Sequence, residues 1–555
     1  MKGNFTVSKY ILHRLQEIGI KHMFGVPGDY MLDFLDDVCR SPIRWVGTCN
    51  ELNAGYAADG YARMTGAGAV AVTYGVGGLS ILNAIAGAYA EHVPVILISG
   101  APPARRREAG AMVHHLVSNY YMQYDIFSKI TADAVLLTDP DKAPDEIDRV
   151  ISNCIARKLP GYIELPADII HAVCREPGEL LRAAPLLSNP ESLADSVAEA
   201  AEMFAKSEHP IILAGIELLR FGLGNEALKL VEATEVPFAT MLGSKSVLPE
   251  LHPQFVGMYQ GGWSREPVKR QVEDSDCLLS LGVWITDIDT GLFSMNLDNR
   301  RMISVGGGRV RIGNHYYDQV QLGDFIRELG LKAQQRSYLA SHPTESYRPK
   351  QPFVPEPSCI LTAKRLYECL NYYLDDRMIL LAEPGDAFCA APAFHIEEAE
   401  NFIVQSYYTS IGYCTPAALG VSLARPGKRP VVLTGDGAFQ MTAQEVSTLA
   451  RIHSPALIVV INNDGYLIER RLHEDGPYND IQMWQYSKLP DLFDKGAHTI
   501  GIRVTTEEEL EKAMQTVVRE PERLVLIEAV IPGRDCSNGM ERLGEAFRKA
   551  QQKTS

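Results

Sequence analysis

Two apolar, β-branched runs in this chain end alike: RPVVLTGDG at 429–437 and PALIVVINN at 455–463, joined by the helical pattern AFQMTAQEVSTLARIH. A strand–helix–strand unit of this kind places its strands parallel and side by side, because the crossover helix returns the chain to the same end of the sheet. Runs so uniformly apolar are buried on both faces. Their polar endings then emerge at one sheet edge, Asp436 from one strand and Asn463 from the next. An Asp and an Asn so placed supply two hard oxygen ligands to one magnesium ion, which keeps further positions for diphosphate oxygens and water. Gly435 and Gly437 let backbone approach that diphosphate, and the helix that follows turns its positive end toward it. Taken singly, each ending reads as an ordinary turn. The pairing carries the chemistry.

The same alternation runs through the rest of the chain. GAVAVTYGVGG, VPVILISGAP and GYIELPA alternate with helical patterns up to about residue 170, and HPIILAGIE, VPFATML, DCLLSLGVW and RMISVGGG do so further on. Three α/β domains of parallel-sheet type are expected, at 1–176, 191–335 and 360–555. Residues 336–359 read as a linker, since five prolines between Pro343 and Pro357 hold chain extended. The glycines of the middle unit make no convincing dinucleotide fingerprint.

Composition narrows the function classes. A net charge of -16 over 555 residues leaves no basic stripe for nucleic acid. The N-terminus spreads its charges through an amphipathic pattern without a signal-peptide core, and no apolar run approaches the length of a bilayer span. Ten scattered cysteines, without a CxxC pair, read as buried hydrophobes or incidental thiols. A cytoplasmic protein without a membrane or nucleic-acid partner is expected.

Three segments of the first unit carry candidate chemistry. In FGVPGDYMLDFL, Asp29 follows Gly28 where a strand gives way to a helix, a place where Asp commonly caps the helix. In CNELNAGYAADGYAR, Glu51 opens a helix and complements its dipole. In AMVHHLV, His114 and His115 are adjacent; neighbours on a regular strand face opposite ways, so both reach one pocket only from irregular backbone.

These segments, together with TYGVGGLSILNAIAGAYAEHVPV, SIGYCTPAALG and NNDGYLIERRLHEDGPYNDIQMWQYSKLP, occur in an order that resembles the thiamine-diphosphate-dependent 2-oxo acid decarboxylases. That family includes pyruvate, indolepyruvate, phenylpyruvate and branched-chain 2-oxo acid decarboxylases. The resemblance spans nearly the whole chain and implies thiamine diphosphate and Mg2+ as cofactors. It implies Asp436, Asn463 and the Gly465 carbonyl as metal ligands. Gly435, Gly437, Thr73, Thr409 and Ile411 would complete the cofactor contacts, Ile411 by supporting a bent cofactor. Glu51 matches the glutamate that hydrogen-bonds the aminopyrimidine, while Asp29, His114, His115 and Glu469 match the groups that handle protons and the leaving carboxylate. In the family the cofactor lies between two subunits, so a homodimer or a dimer of dimers is expected.

The pocket departs from its relatives in LAEPGDAFCAAPAF, where branched-chain relatives typically show AEQG followed by two adjacent bulky aromatics. Ala387, Phe388 and Cys389 on one side, Ile468 and Leu472 on the other, and Leu543 and Phe547 as a lid would favour aromatic, branched or longer aliphatic 2-oxo acids. Two competing readings remain. One is a carboligase of the acetolactate-synthase type, the other a catalytically silent binding or scaffold subunit.

Overall fold

The computed structural model describes residues 5–183, 186–332, 351–494 and 498–554. Most of the expected linker, 336–350, lies outside the described residues. The first sheet contains β1 (His22–Gly25), β2 (Arg44–Gly47), β3 (Gly68–Val72), β4 (Val95–Ala101), β5 (Asp133–Leu136) and β6 (Gly161–Pro166). Its order is β2-β1-β3-β4-β6-β5, with every pairing parallel.

The middle sheet contains β7 (Pro210–Ala214), β8 (Phe238–Thr240), β9 (Phe255–Met258), β10 (Cys277–Leu281), β11 (Met302–Gly306), β12 (Arg309–Ile312) and β13 (His315–Asp318). It runs β13-β12-β11-β10-β7-β8-β9 and is parallel except for an antiparallel edge at β11-β12-β13. The GGG run that reads as a strand ending is a hairpin turn. Gly307 and Gly308 have φ of 58° and 74°, the doubly left-handed conformation that a two-residue hairpin requires.

The third sheet holds β14 (Met378–Ala382), β15 (Phe402–Val404), β16 (Arg429–Gly435), β17 (Leu457–Asn462), β18 (Thr499–Val504) and β19 (Leu524–Val530), in the all-parallel order β15-β14-β16-β17-β19-β18. Counted within each domain, the first and third sheets have the same strand order. Each reverses direction between its first and third strands, at β1/β3 and at β14/β16. Open α/β sheets form their ligand crevice at such a reversal, beyond the carboxyl ends of the strands.

Helix Glu51–Thr65 of the first domain crosses helix Cys414–Ala424 of the third at backbone distance. A Cβ on Gly420 would lie 1.9 Å from the Ala57 carbonyl oxygen, and one on Gly60 would lie 2.4 Å from that of Ala417. One hydrophobic core accordingly runs through the first domain and one face of the third. Around this contact, the Tyr413 hydroxyl donates to Asp59 (2.5 Å) and the Arg63 guanidinium pairs with Asp59 (2.6 Å). Their mutual bonding offsets part of the cost of burial, while Asp59 Oδ2 stays without a hydrogen-bond partner.

Candidate active site

At the reversal of the third sheet, Gly435 pairs with Ile461, so Asp436 and Asn463 leave neighbouring strands together. Asp436 is 1% exposed. Its carboxylate accepts N–H bonds from Gly437 (2.8 Å), Asn463 (3.1 Å) and Gly465 (3.1 Å). Burial pushes its pKa up to about 6 against those backbone donors. A desolvated carboxylate surrounded by neutral donors is the chemistry a hard cation satisfies. The turn after Asn463 is left-handed, with φ of 64° at Asp464 and 119° at Gly465. A Cβ on Gly465 would lie 2.3 Å from the Asn479 carbonyl oxygen, and one on Gly437 would lie 2.5 Å from the Tyr466 ring. Gly465 therefore requires glycine by conformation and by space, while a side chain at Gly437 would have to displace the Tyr466 ring.

A cavity at this edge is lined by Ala387, Ile411, Gly435, Asp436, Gly437, Asn463, Gly465, Ile468 and Glu469. Glu469 and Ile468 enter it from helix Leu467–Leu472. Ile411 enters on a loop fastened at both flanks. Before it, Thr409 has φ of 51°, the Ser410 N–H donates to Gln405 (3.1 Å), and the Ser410 hydroxyl bonds that of Tyr56 (2.6 Å). After it, the Tyr413 and Cys414 N–H groups donate to the buried Glu383 carboxylate at 3.0 and 3.1 Å.

The corresponding reversal of the first sheet gathers Asp29, His114 and His115, whose ligand atoms lie within 4.8 Å of one another. His114 Nε2 lies 2.5 Å from Asp29 Oδ2, and its ring stacks on Tyr30 at 4.8 Å. His115 reaches the same place through the irregular backbone that adjacency demanded, with φ of 68°. Gly75 makes room for it, since a Cβ there would lie 2.1 Å from the His115 carbonyl oxygen. Glu51 stands in the first turn of its helix, whose N-terminus the Asn50 side chain caps, and faces the turn at Gly77. Thr73 closes this set; its hydroxyl is buried without a hydrogen-bond partner, as is His115 Nδ1. None of Asp29, Glu51, Thr73, His114 and His115 lines the third-domain cavity.

Beside that cavity, Ile468, Leu472, Leu543 and Phe547 form one apolar cluster with Cys389. The structure does not bring Phe388 there, because its ring packs into the core of the third domain. The cluster also includes Trp263, Leu292, Leu467, Cys536 and Met540, which the sequence reading missed. Met540 carried a signal, standing three and seven residues before Leu543 and Phe547 on one helix face. Trp263 carried none, since it arrives from the middle domain.

Comparison with known proteins defines the class. Residues 5–124 match the N-terminal TPP binding domain of thiamine pyrophosphate enzymes, residues 197–329 their central domain, and residues 385–529 their C-terminal TPP binding domain. An alpha-keto-acid decarboxylase of Mycobacterium leprae is 37% identical over 537 residues, 96% of this chain and 94% of that protein. Another, from Mycobacterium avium, is 38% identical over 539 residues, 95% of this chain and 94% of its own. The alpha-keto-acid decarboxylase of Mycobacterium tuberculosis is 37% identical over 534 residues, again 95% and 94%. The chain belongs to the thiamine-diphosphate-dependent 2-oxo acid decarboxylases.

Its cofactors are accordingly thiamine diphosphate and magnesium, and the residues present fit both. The desolvated Asp436 beside Asn463 suits the metal, Gly435, Gly437 and Gly465 leave backbone room for a diphosphate, and the Glu51 carboxylate and the unpartnered Thr73 hydroxyl suit a polar ring. Among the described residues no helix is long and apolar enough to cross a membrane, and no disulfide joins the ten cysteines.

Proposed function

We propose that the enzyme converts aromatic, branched-chain or longer aliphatic 2-oxo acids to the aldehyde and carbon dioxide in preference to pyruvate, at a site completed by two chains. One observation carries the composite site: the two halves of the constellation lie at equivalent reversals of two sheets, and the cavity of the third domain contains none of the first-domain set. Around the first-domain half, Leu32, Val76, Met112, Val117 and Tyr121 are exposed, an apolar rim suited to a second copy of the chain. A homodimer is the smallest assembly in which both sites are complete, and a dimer of dimers repeats it.

When bound, the thiazolium ring supplies the electron sink that loss of a carboxylate requires. The protein's own groups do the rest. Asp436, Asn463 and the Gly465 carbonyl would hold magnesium, Ile411 would give the cofactor its support, and Glu51 would hold a proton against the pyrimidine. His114 and Asp29 can share a proton across their 2.5 Å contact, with His115 beside them, so they can deliver it to a nascent aldehyde and recover it. Glu469 presents a carboxyl to the substrate carboxylate. Ala387 and Cys389 stand where bulkier groups would shorten the pocket, which is the basis of the preference for larger side chains.

Aldehyde formation from a panel of 2-oxo acids, coupled to an alcohol dehydrogenase, tests the reading. Higher kcat/KM for 2-oxoisocaproate or phenylpyruvate than for pyruvate is expected, with Cys389→Phe moving preference toward shorter chains. A wild-type preference for pyruvate would contradict the pocket assignment.

A further inference from the structure

Asp386 begins the short helix that carries Ala387 and Cys389, and it lines the cavity shared by Ile411 and Glu469. It is 8% exposed, yet its carboxylate has no basic partner among the described residues. Instead it gathers neutral donors. The Tyr367 hydroxyl donates to Oδ2 (2.8 Å), the Ser537 hydroxyl to Oδ1 (2.6 Å), and the Ser537 N–H reaches both oxygens at 3.0 and 3.2 Å. Ser537 immediately precedes the C-terminal helix Asn538–Thr554, and its hydroxyl oxygen also accepts the Met540 N–H (3.1 Å). One hydroxyl thus caps the helix and ties it to Asp386.

The neighbouring contact shows how closely the two elements are pressed together. A Cβ on Gly539 would lie 1.9 Å from the Cys389 carbonyl oxygen, so backbone of the C-terminal helix rests on backbone of the pocket wall. Farther along that helix, Met540, Leu543 and Phe547 reach the cluster that contains Ile468 of the Glu469 helix. A buried carboxylate here desolvates a charge at some cost. An apolar residue would fill the space without it, but would not hold the helix start in register with residues 387–389.

We propose that Asp386 is a positioning residue, a latch that fixes the start of the C-terminal helix against the pocket wall and thereby sets where Leu543 and Phe547 stand. The consequence for substrate rests on the reading of that wall given above, whereas the latch itself does not. Loosening it frees the helix from its N-terminal end and leaves the sheet beneath intact.

Hydrogen exchange of the full-length enzyme loaded with thiamine diphosphate and magnesium tests the latch directly. In Asp386→Asn an amide replaces an acceptor that three donors need, and in Ser537→Ala the hydroxyl is lost. Exchange across residues 538–548 should rise at least about tenfold in both, with strand β17 unchanged and Ser537→Thr restoring protection. KM for the larger 2-oxo acids should rise more than kcat falls. Unchanged exchange at 538–548 in Ser537→Ala, or acceleration spread equally into β17, would overturn the latch. Faster exchange with unaltered KM would overturn its role in positioning the pocket, provided Leu543→Ala by itself shifts KM. Leu543→Ala leaving KM unchanged would sink the wall reading instead, while the exchange result stands or falls without it.

Discussion

Gly465 shows how much a single residue can decide. Its φ of 119° and the 2.3 Å approach to the Asn479 carbonyl exclude a side chain, and its backbone N–H holds Asp436 in place. Gly465→Ala should raise the magnesium concentration needed for half-maximal activity by about tenfold or more, from backbone strain of order 1–3 kcal/mol. An unchanged magnesium titration would separate this turn from the metal. Asp436 and Asn463 were legible because each ends a strand, and strand ends are readable from hydrophobic pattern. Asp289 was not, since an Asp in WITDIDTG reads as a surface turn residue. In the structure it is buried, bonded to the Gly243 N–H at 3.2 Å, and its pKa is raised by burial to about 7. Between about pH 4 and about 7 the folded protein keeps a proton there that the unfolded chain has released, so this group makes stability fall as pH rises through that window. Asp289→Asn keeps the acceptor and removes the titration. Its gain in Tm over wild type should grow from pH 5 to pH 7.5, and a constant difference would refute the assignment.

The crossing of helices Glu51–Thr65 and Cys414–Ala424 fixes both the Glu51 helix and the loop that carries Ile411. The first helix was visible in the sequence, as NELNAGYAADGYAR, whereas CTPAALG stood out only as part of the family resemblance. That they meet was not visible, because small residues mark a close contact without naming its partner. Gly420→Leu would force a side chain into the Ala57 backbone, 1.9 Å from its Cβ, where no flexible atom can yield. Destabilisation of about 3 kcal/mol or more is expected, at or above the upper range for overpacking. A wild-type Tm for this variant would contradict the packing. The middle-sheet hairpin illustrates a different loss of information. Its glycine run fits a strand ending or a turn, and only the antiparallel pairing of β11 with β12 distinguishes them.

At the scale of the molecule, the first and third domains repeat one sheet order, and each places its half of the site at the same reversal. The sequence showed three α/β units and their motifs but not this repetition, since strand order depends on long-range pairing that local pattern does not encode. Nor did it show that the middle domain contributes Trp263 to the cluster beside the cavity. In the proposed composite site, each of the two half-sites on one chain would take its complementary half from another chain. Mixing Asp436→Ala and Glu51→Gln chains tests this most directly. Each variant alone should be nearly inactive, for lack of metal binding or of the pyrimidine proton. A mixed dimer holds one doubly altered site and one intact site, so equal random mixing should restore about a quarter of wild-type turnover. Activity that stays at the level of the separate variants, with mixed dimers verified by mass, would show that each chain completes its own site and would contradict the account.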